Sequence, residues 1–267
     1  MDSDTDFYTA FAALDWQLDM GVTEAIGDAP VDRYALAAEP VKTAPKPGPV
    51  PDVTPRAQPP KPAKPATVDA VAIARAAAAG ASDLTALNAA LQDFAHCDLK
   101  KGARNTVFAD GRAGAPVMII GEAPGRDEDI QGKPFVGRAG QLLDRMLAAI
   151  GLSRDPQNPG EAVYITNVLP WRPPQNREPT PQEMAMMVPF LERHIDLAAP
   201  KILVLMGNTP CQALLGRRGI TRMRGTWTTA LSLPVMPMTH PAYLLRTPAA
   251  KRDAWADLLA IKARLRG

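Results

Sequence analysis

The sequence predicts a three-layer α/β/α fold with a central, mainly parallel four-stranded sheet, preceded by a disordered, proline-rich N-terminal region. Three observations carry this prediction. Short apolar runs alternate along residues 67–267 with longer segments in which apolar residues recur at helical spacing. The short runs are apolar throughout, as expected for parallel strands covered on both faces. Residues 40–65 contain ten prolines, which is typical of an extended segment without a packed core.

Two segments precede the predicted globular domain. Residues 1–38 are acidic, with a net charge of −7, and residues 4–20 have the spacing of an amphipathic helix. Its apolar face would consist of Phe7, Phe11, Leu14 and Leu18. This helix either packs on the main domain or docks on a protein partner, and the spacing favours neither. Residues 39–66 carry a net charge of +3 and predict a semi-rigid Pro/Lys-rich linker.

Residues 67–267 contain the remaining elements in chain order. Thr67 is predicted to cap an alanine-rich helix that ends at Gly80, and Ser82 or Asp83 to open a second helix that reaches Phe94. Four apolar runs predict strands at 117–120, 163–168, 202–206 and 234–238. Helical spacing predicts further helices at 140–150, 180–197, 209–215 and 249–265.

Composition narrows the compartment and the class of partner. No run of 18 or more apolar residues occurs, which predicts no membrane span, and the acidic start is unlike a secretory signal. Cys97 and Cys211 alone do not form a disulfide framework. We therefore predict a cytoplasmic monomer. Residues 67–267 carry a net charge of +6, which suits a domain that binds a polyanion.

Residues 121–140 form a long, glycine-rich, charged loop after the first predicted strand. In open α/β sheets, ligands bind at this end of the strands. The loop is not a phosphate loop, because six residues separate Gly125 from Gly132 and Pro134 follows Lys133. It also lacks the Gly-x-Gly of a dinucleotide site. Its glycines, carboxylates and single aromatic residue favour a flat, polar, uncharged ligand.

Four motifs occur in order along the predicted domain. They are GEAPG (121–125), KPFVGRAG (133–140), TNVLPWRPPQNR (166–177) and THPAYLLR (239–246). With these motifs the chain resembles a family 4 type uracil-DNA glycosylase from about Cys97 to its C-terminal end. The resemblance implies hydrolysis of the N-glycosidic bond of deoxyuridine in DNA, the first step of base excision repair, with uracil-containing DNA as the partner.

The resemblance assigns catalytic roles to Glu122, Asn167 and His240. Asn167 would donate to uracil O4 and accept from N3–H, and His240 would stabilise negative charge at O2. Glu122 would lie beside the sugar, but better-known relatives place an aspartate one residue later, where this chain has Ala123. The residue that activates water is therefore left open. The residues expected to contact the base are Gly121, Ala123, Pro124, Gly125, Glu128, Phe135, Asn167 and His240.

Within that set, two residues have more specific expected roles. Phe135 would stack on the flipped base, because it lies in a Gly/Pro-rich loop and outside any amphipathic pattern. Glu128 would lie near C5 of the base and help to exclude the methyl group of thymine.

Basic residues around the second and fourth motifs are expected to grip the DNA backbone. They are Arg172, Arg177, Arg224 and Arg246. Leu244 or Leu245 would wedge into the gap that a flipped nucleotide leaves.

Members of the resembled family usually hold a four-cysteine iron–sulfur cluster. The corresponding positions here are Phe94, Cys97, Trp171 and Met187, and one thiolate cannot hold a cluster that needs about four. We therefore predict no iron–sulfur cluster and no other cofactor or metal. Loss of the ligands favours one alternative, a non-catalytic DNA-binding or scaffold protein that retains the glycosylase fold. A nucleotide-handling enzyme outside repair is disfavoured because no phosphate loop is present.

Overall fold

The computed structural model describes residues 69–266, so the predictions for residues 1–38, for the 39–66 linker and for Thr67 itself lie outside it. Within the described residues the first helix begins at Ala70. Asp69 caps it, because the Asp69 carboxylate accepts a hydrogen bond from Ala72 N at 3.0 Å. Asp83 caps the second helix through Ala86 N at 2.8 Å.

The described helices exceed the predicted set, because several short ones occur in segments without a long periodic pattern. In chain order they are α1 (Ala70–Ala79), α2 (Leu84–Asp93), α3 (Leu99–Gly102), α4 (Arg126–Gln131), α5 (Arg138–Ala149), α6 (Pro181–Ala198), α7 (Asn208–Leu215), α8 (Ile220–Met223), α9 (Pro241–Arg246) and α10 (Lys251–Arg266). Three 3₁₀ turns lie at Pro159–Glu161, Pro174–Asn176 and Pro248–Ala250. No helix within residues 69–266 is long and apolar enough to cross a bilayer.

The sheet contains the four predicted parallel strands and two short edge strands. The strands are β1 (Asp110–Gly111), β2 (Val117–Gly121), β3 (Val163–Asn167), β4 (Ile202–Met206), β5 (Thr228–Ala230) and β6 (Leu233–Met238). Their order is β1-β3-β2-β4-β6-β5, and both edge strands pair antiparallel. The prediction of four strands is thus corrected to six, because β1 and β5 are too short and polar to form an apolar run.

Both faces of the sheet are covered, which confirms the three-layer architecture. Successive residues of one strand point to opposite faces. On β2, Met118 and Ile120 join a core with helices α1, α2, α6 and α7, whereas Val117 and Ile119 join a core with α5, α9 and α10. The four parallel strands therefore end at one edge, where the loops that follow them converge.

The four residues that the resemblance would place at cluster-ligand positions are buried in the first of these cores. Phe94, Cys97, Trp171 and Met187 are each at most 4% exposed. The Trp171 indole N–H donates to Thr106 Oγ1 at 3.0 Å, which satisfies its only polar group. Apolar packing therefore surrounds all four side chains.

Candidate active-site cleft

A cleft of about 570 Å³ opens at the carboxyl ends of the parallel strands. Glu122 follows β2, Asn167 ends β3, and His240 follows β6. The cleft is lined by all the predicted base-contacting residues except Gly121, which lies directly behind two of them. Strand order alone places these residues at one edge, because β3, β2, β4 and β6 are adjacent and parallel.

Gly121 keeps the floor of the cleft open. It is paired with Asn167 in the register of β2 and β3. A Cβ at position 121 would lie 2.4 Å from Asn167 Oδ1 and 2.6 Å from the Phe135 ring. Asn167, which is 7% exposed, and Phe135 therefore lie against the same backbone atom. No protein group within residues 69–266 hydrogen-bonds the Asn167 amide, so packing against Gly121 sets its place.

The contact at Gly121 gives a test of this arrangement. We expect Gly121→Ala to lower uracil excision about 10- to 100-fold, because the added methyl group displaces Asn167 and Phe135 together. The measurement is the single-turnover excision rate, with thermal unfolding as a check on folding. Gly102→Ala is the matched control, since a Cβ there meets nothing within 4 Å. Equal rates for Gly121→Ala and wild type would contradict the arrangement.

Phe135 holds an unusual backbone conformation beside His240. Its φ is +55°, a left-handed value that costs a bulky residue about 1–3 kcal/mol and is retained where the surroundings enforce it. Its ring is 5% exposed and stacks on the His240 ring, with centroids 5.3 Å apart and an interplanar angle of 29°. The ring is thus part of the second core and part of the cleft wall at once.

The hydrogen bonding of His240 fixes its tautomer. Nδ1 accepts from Ala242 N at 3.2 Å and caps helix α9, so the proton of the neutral ring is on Nε2. Burial, together with the charge of Arg246, lowers the pKa of His240 to about 4, while Glu128 opposes this shift. At neutral pH, His240 is therefore an uncharged donor through Nε2.

Two buried histidines make the free energy of unfolding depend on pH. Burial also lowers the pKa of His194 to about 3, and its Nε2 lies 2.9 Å from the Tyr164 hydroxyl. Both folded values are below the ordinary value of 6.5, so the unfolded chain binds these protons first. The two neutral histidines contribute fully to the free energy of unfolding above pH 6.5. This contribution is lost as the pH falls towards 4 for His240 and 3 for His194.

We expect this loss to appear in the free energy of unfolding, measured in urea between pH 7.5 and pH 5. His194→Gln should flatten the dependence, because one depressed histidine is removed. His96→Gln, at an exposed position, should leave it unchanged. A wild-type free energy that stays constant below pH 6.5 would contradict the account.

Glu122 is held by a residue that the sequence analysis did not single out. Its Oε2 accepts from Thr209 Oγ1 at 2.6 Å, and Thr209, at the start of α7, is 4% exposed. The Glu122 carboxylate lines the cleft in a fixed orientation. It can stabilise positive charge or orient water on the side of the cleft next to β4.

Glu128 lines the cleft and braces the loop, and its place near C5 of the base stays a prediction. Its Oε2 accepts from Gly125 N at 3.1 Å, and its Oε1 accepts from Val136 N at 3.0 Å and from Gly137 N at 2.9 Å. Both carboxylate oxygens are thus committed to backbone donors. The carboxylate joins the two halves of the loop that carries Phe135.

The four predicted backbone-binding arginines lie in different settings. Arg177 and Arg246 line the cleft, and Arg172 donates to Asn176 at its rim. Arg224 is the exception, because its guanidinium is committed to Asp257, which is 1% exposed. Its assignment to DNA is therefore corrected to a structural ion pair.

The expected leucine wedge is corrected for Leu244 and stays a prediction for Leu245. Leu244 is 0% exposed and packs in the second core, so it cannot enter a DNA helix. Leu245 is half-buried against the same core and does not line the cleft. Tyr243, which directly precedes Leu244 on α9, is 38% exposed and lines the cleft.

The sequence analysis missed one wall of the cleft. Gly207 and Asn208, which follow β4, line it beside Thr239. Gly207 has φ +104°, and a Cβ there would lie 3.6 Å from the His240 Cβ. The available signal was positional, since a glycine and small polar residues follow a buried strand at the ligand-binding edge.

Comparison with known proteins shows which proteins the chain resembles. The model of the uracil DNA glycosylase superfamily matches residues 108–259. A type-4 uracil-DNA glycosylase of Archaeoglobus fulgidus is 39% identical over 176 residues, which is 62% of this chain and 84% of the relative. That of Saccharolobus solfataricus is 38% identical over 63% of this chain and 80% of its own. The type-4 uracil-DNA glycosylase of Thermotoga maritima is 40% identical over 56% of this chain and 77% of its own.

Proposed function

The chain belongs to the uracil-DNA glycosylase superfamily, and from this premise we propose that it excises uracil from DNA. The reaction is hydrolysis of the N-glycosidic bond of deoxyuridine, which starts base excision repair. We assign it to the domain at residues 67–267. The observation that carries the proposal is the cleft in which Phe135, Asn167 and His240 meet.

Recognition of the base requires the nucleotide to leave the stack. Flipping costs a few kcal/mol, and base–aromatic stacking returns roughly 1–3 kcal/mol. The Phe135 ring supplies this face. Asn167 then presents an N–H donor to O4 and an oxygen acceptor to N3–H, the pattern of uracil and the inverse of that of cytosine. Packing at Gly121 keeps both groups in place.

Bond cleavage moves an electron pair from the C1′–N1 bond onto the base. The departing uracil is an anion with much of its charge on O2, and the Nε2–H of His240 donates to that oxygen. C1′ becomes positively charged, and the Glu122 carboxylate stabilises it. Water adds to C1′ and gives its proton to solvent, and the uracil anion takes up a proton from solvent, which leaves an abasic site and free uracil.

Cations at the rim hold the DNA. Arg246 and Arg177 would contact phosphates on either side of the flipped nucleotide, with Arg172 nearby. Each neutralised phosphate adds roughly 0.9 to the slope of log affinity against log salt. The Arg177 guanidinium also binds Glu183, because its Nη1 and Nη2 donate to the two carboxylate oxygens at 2.9 and 2.6 Å.

We propose that excision proceeds without an iron–sulfur cluster. The whole chain has two cysteines, of which Cys97 alone lies at a ligand position of the family, and a cluster needs about four thiolates. Within residues 69–266, no group of three or more His, Cys, Asp and Glu side chains could hold a metal. The residues that are present do not fit the cluster.

Metal removal tests this point. We expect full excision activity after dialysis against a chelator, no visible absorption from a cluster, and a negligible iron content. Cys97→Ala should excise uracil at the wild-type rate, because the thiol only packs in the core. Loss of activity on chelation, with recovery on adding iron and sulfide, would contradict the proposal.

The test of the function is incubation of the purified chain with a labelled oligonucleotide that contains one uracil, followed by alkali. We expect cleavage at that position in the presence of chelator, and none when cytosine or thymine replaces uracil. A folded chain that binds the oligonucleotide without cleaving it would support the scaffold alternative instead.

A further inference from the structure

Arg154 lies behind the loop that carries Phe135. It is in the segment between α5 and β3, and its side chain is 16% exposed. Nη1 donates to the carbonyl oxygen of Pro134 at 2.8 Å, and Nη2 donates to that of Phe135 at 2.5 Å. One guanidinium thus binds two consecutive carbonyl groups of the loop. Arg154 does not itself line the cleft.

Two carboxylates hold the guanidinium in this position. Nη1 also donates to Asp110 Oδ2 and Nε to Asp144 Oδ1, both at 2.8 Å. Asp110 lies on edge strand β1 and Asp144 on helix α5, so Arg154 connects the loop to both elements. The planar, forked guanidinium is suited to this task, and a lysine ammonium could not span the same acceptors.

The carbonyl groups that Arg154 binds belong to the strained part of the loop. Phe135 has φ +55°, and such a conformation is retained only where several contacts enforce it. A Cβ at Gly140 would lie 1.7 Å from the Phe135 oxygen, so this oxygen packs directly on helix α5. Arg154 on one side and Gly140 on the other fix the peptide plane that aims the Phe135 ring.

We propose that Arg154 is a positioning residue for base recognition, which acts by holding the Phe135 ring in its stacking orientation. The proposal rests on the proposed function, since it assumes that Phe135 stacks on uracil. This role distinguishes the affinity for the base from the affinity for the DNA backbone. Arg154 determines how tightly the base is held, whereas the cations at the rim determine how tightly the backbone is held.

The test compares two affinities of the full chain. The affinity for free uracil, from product inhibition, reports on the base site. The affinity for an oligonucleotide with an abasic site reports on the backbone grip. We expect Arg154→Met to weaken uracil binding about tenfold, within the range that base–aromatic stacking contributes, and to leave abasic-site binding unchanged. Arg154→Lys, which keeps the charge, should fall between Met and wild type.

A matched control and a double mutant separate positioning from folding. Arg193 also binds a backbone carbonyl group, that of Ala81, and a carboxylate, but it is remote from the cleft. Arg193→Met should therefore leave uracil affinity unchanged. In a Phe135→Ala background, Arg154→Met should have almost no further effect, because the ring it positions is gone.

The possible results distinguish failure of the Arg154 proposal from failure of the proposed function. Unchanged uracil affinity in Arg154→Met, or an equal loss with and without the Phe135 ring, would overturn the proposal while leaving the proposed function intact. If Arg154→Met does not fold, the same comparison is made with Arg154→Lys, whose equality to wild type would overturn it. A wild-type chain that neither binds nor excises uracil would instead overturn the proposed function.

Discussion

Replacing Asn167 with aspartate is expected to lower uracil excision by about 100-fold or more, while binding to DNA stays near the wild-type level. In the proposed binding mode, the change removes the N–H donor to O4 and puts a carboxylate against that oxygen. Because Asn167 is 7% exposed, little solvent is available to offset the mismatch. A site built to hydrogen-bond one edge rejects the wrong partner far more strongly than an apolar site does.

The measurement is the single-turnover rate on an oligonucleotide with one uracil, beside the affinity for the same oligonucleotide carrying an abasic site. Asn158→Asp is the matched control, because Asn158 is an exposed cap whose oxygen accepts from Gly160 N, and aspartate can do the same. Excision by Asn167→Asp within a few-fold of wild type would show that Asn167 does not read the base.

Replacing His240 with alanine should slow the cleavage step about 10²- to 10³-fold, the usual cost of removing one donor to a developing oxyanion. The effect should appear in the rate at saturating enzyme and not in affinity, because Nε2–H is needed most when charge reaches O2. The pKa of about 4 means that this donor is neutral at pH 7, so the activity should not follow a titration near 6.5.

Alanine at position 240 also removes the cap of helix α9, so a second variant is needed. His240→Asn keeps an N-cap acceptor for Ala242 N, but its amide N–H lies on a shorter side chain and does not reach the position of Nε2–H. We expect it to be as slow as His240→Ala and more stable. His96→Ala, which removes an exposed imidazole, is the control. A wild-type cleavage rate in His240→Asn would assign His240 to capping alone.

The fold was predictable where one local pattern dominates. The runs at 117–120 and 202–206 are apolar throughout and flanked by glycine or proline, so only buried strands suit them. The edge strand Thr228–Ala230 was not predictable, because its three residues gain their order from pairing with Leu233–Val235. Helix Arg126–Gln131 was missed for a related reason, since it is charged and depends on the Glu128 brace and not on an apolar face.

The position of the candidate site could be predicted from the sequence, but the contacts that hold its residues in place could not. Asn167 ends one strand of the sheet and His240 lies two residues after another, and strand order brings them together with the loop of Phe135. The roles given to them remain predictions. The contacts that hold them join residues far apart in sequence, such as Glu122 with Thr209 and Arg154 with Asp110, and no local pattern indicates such pairs.

The corrected assignments have one physical cause. A charge count cannot distinguish an arginine that faces DNA from one that neutralises a buried carboxylate, as Arg224 does with Asp257. In the same way, the acidic composition of a loop does not show that both Glu128 oxygens accept hydrogen bonds from the backbone. Burial and partner geometry decide these cases, and both arise only in the folded chain.

In the proposed site, the face of Phe135, the amide of Asn167 and the Nε2–H of His240 bind one uracil together. The decisive experiment is a crystal structure of the chain with bound free uracil. We expect the uracil ring to stack on Phe135, with O4 and N3–H on the Asn167 amide and O2 within hydrogen-bond distance of His240 Nε2. Uracil bound in another cavity, or in this cleft with its Watson–Crick edge turned away from Asn167, would contradict it.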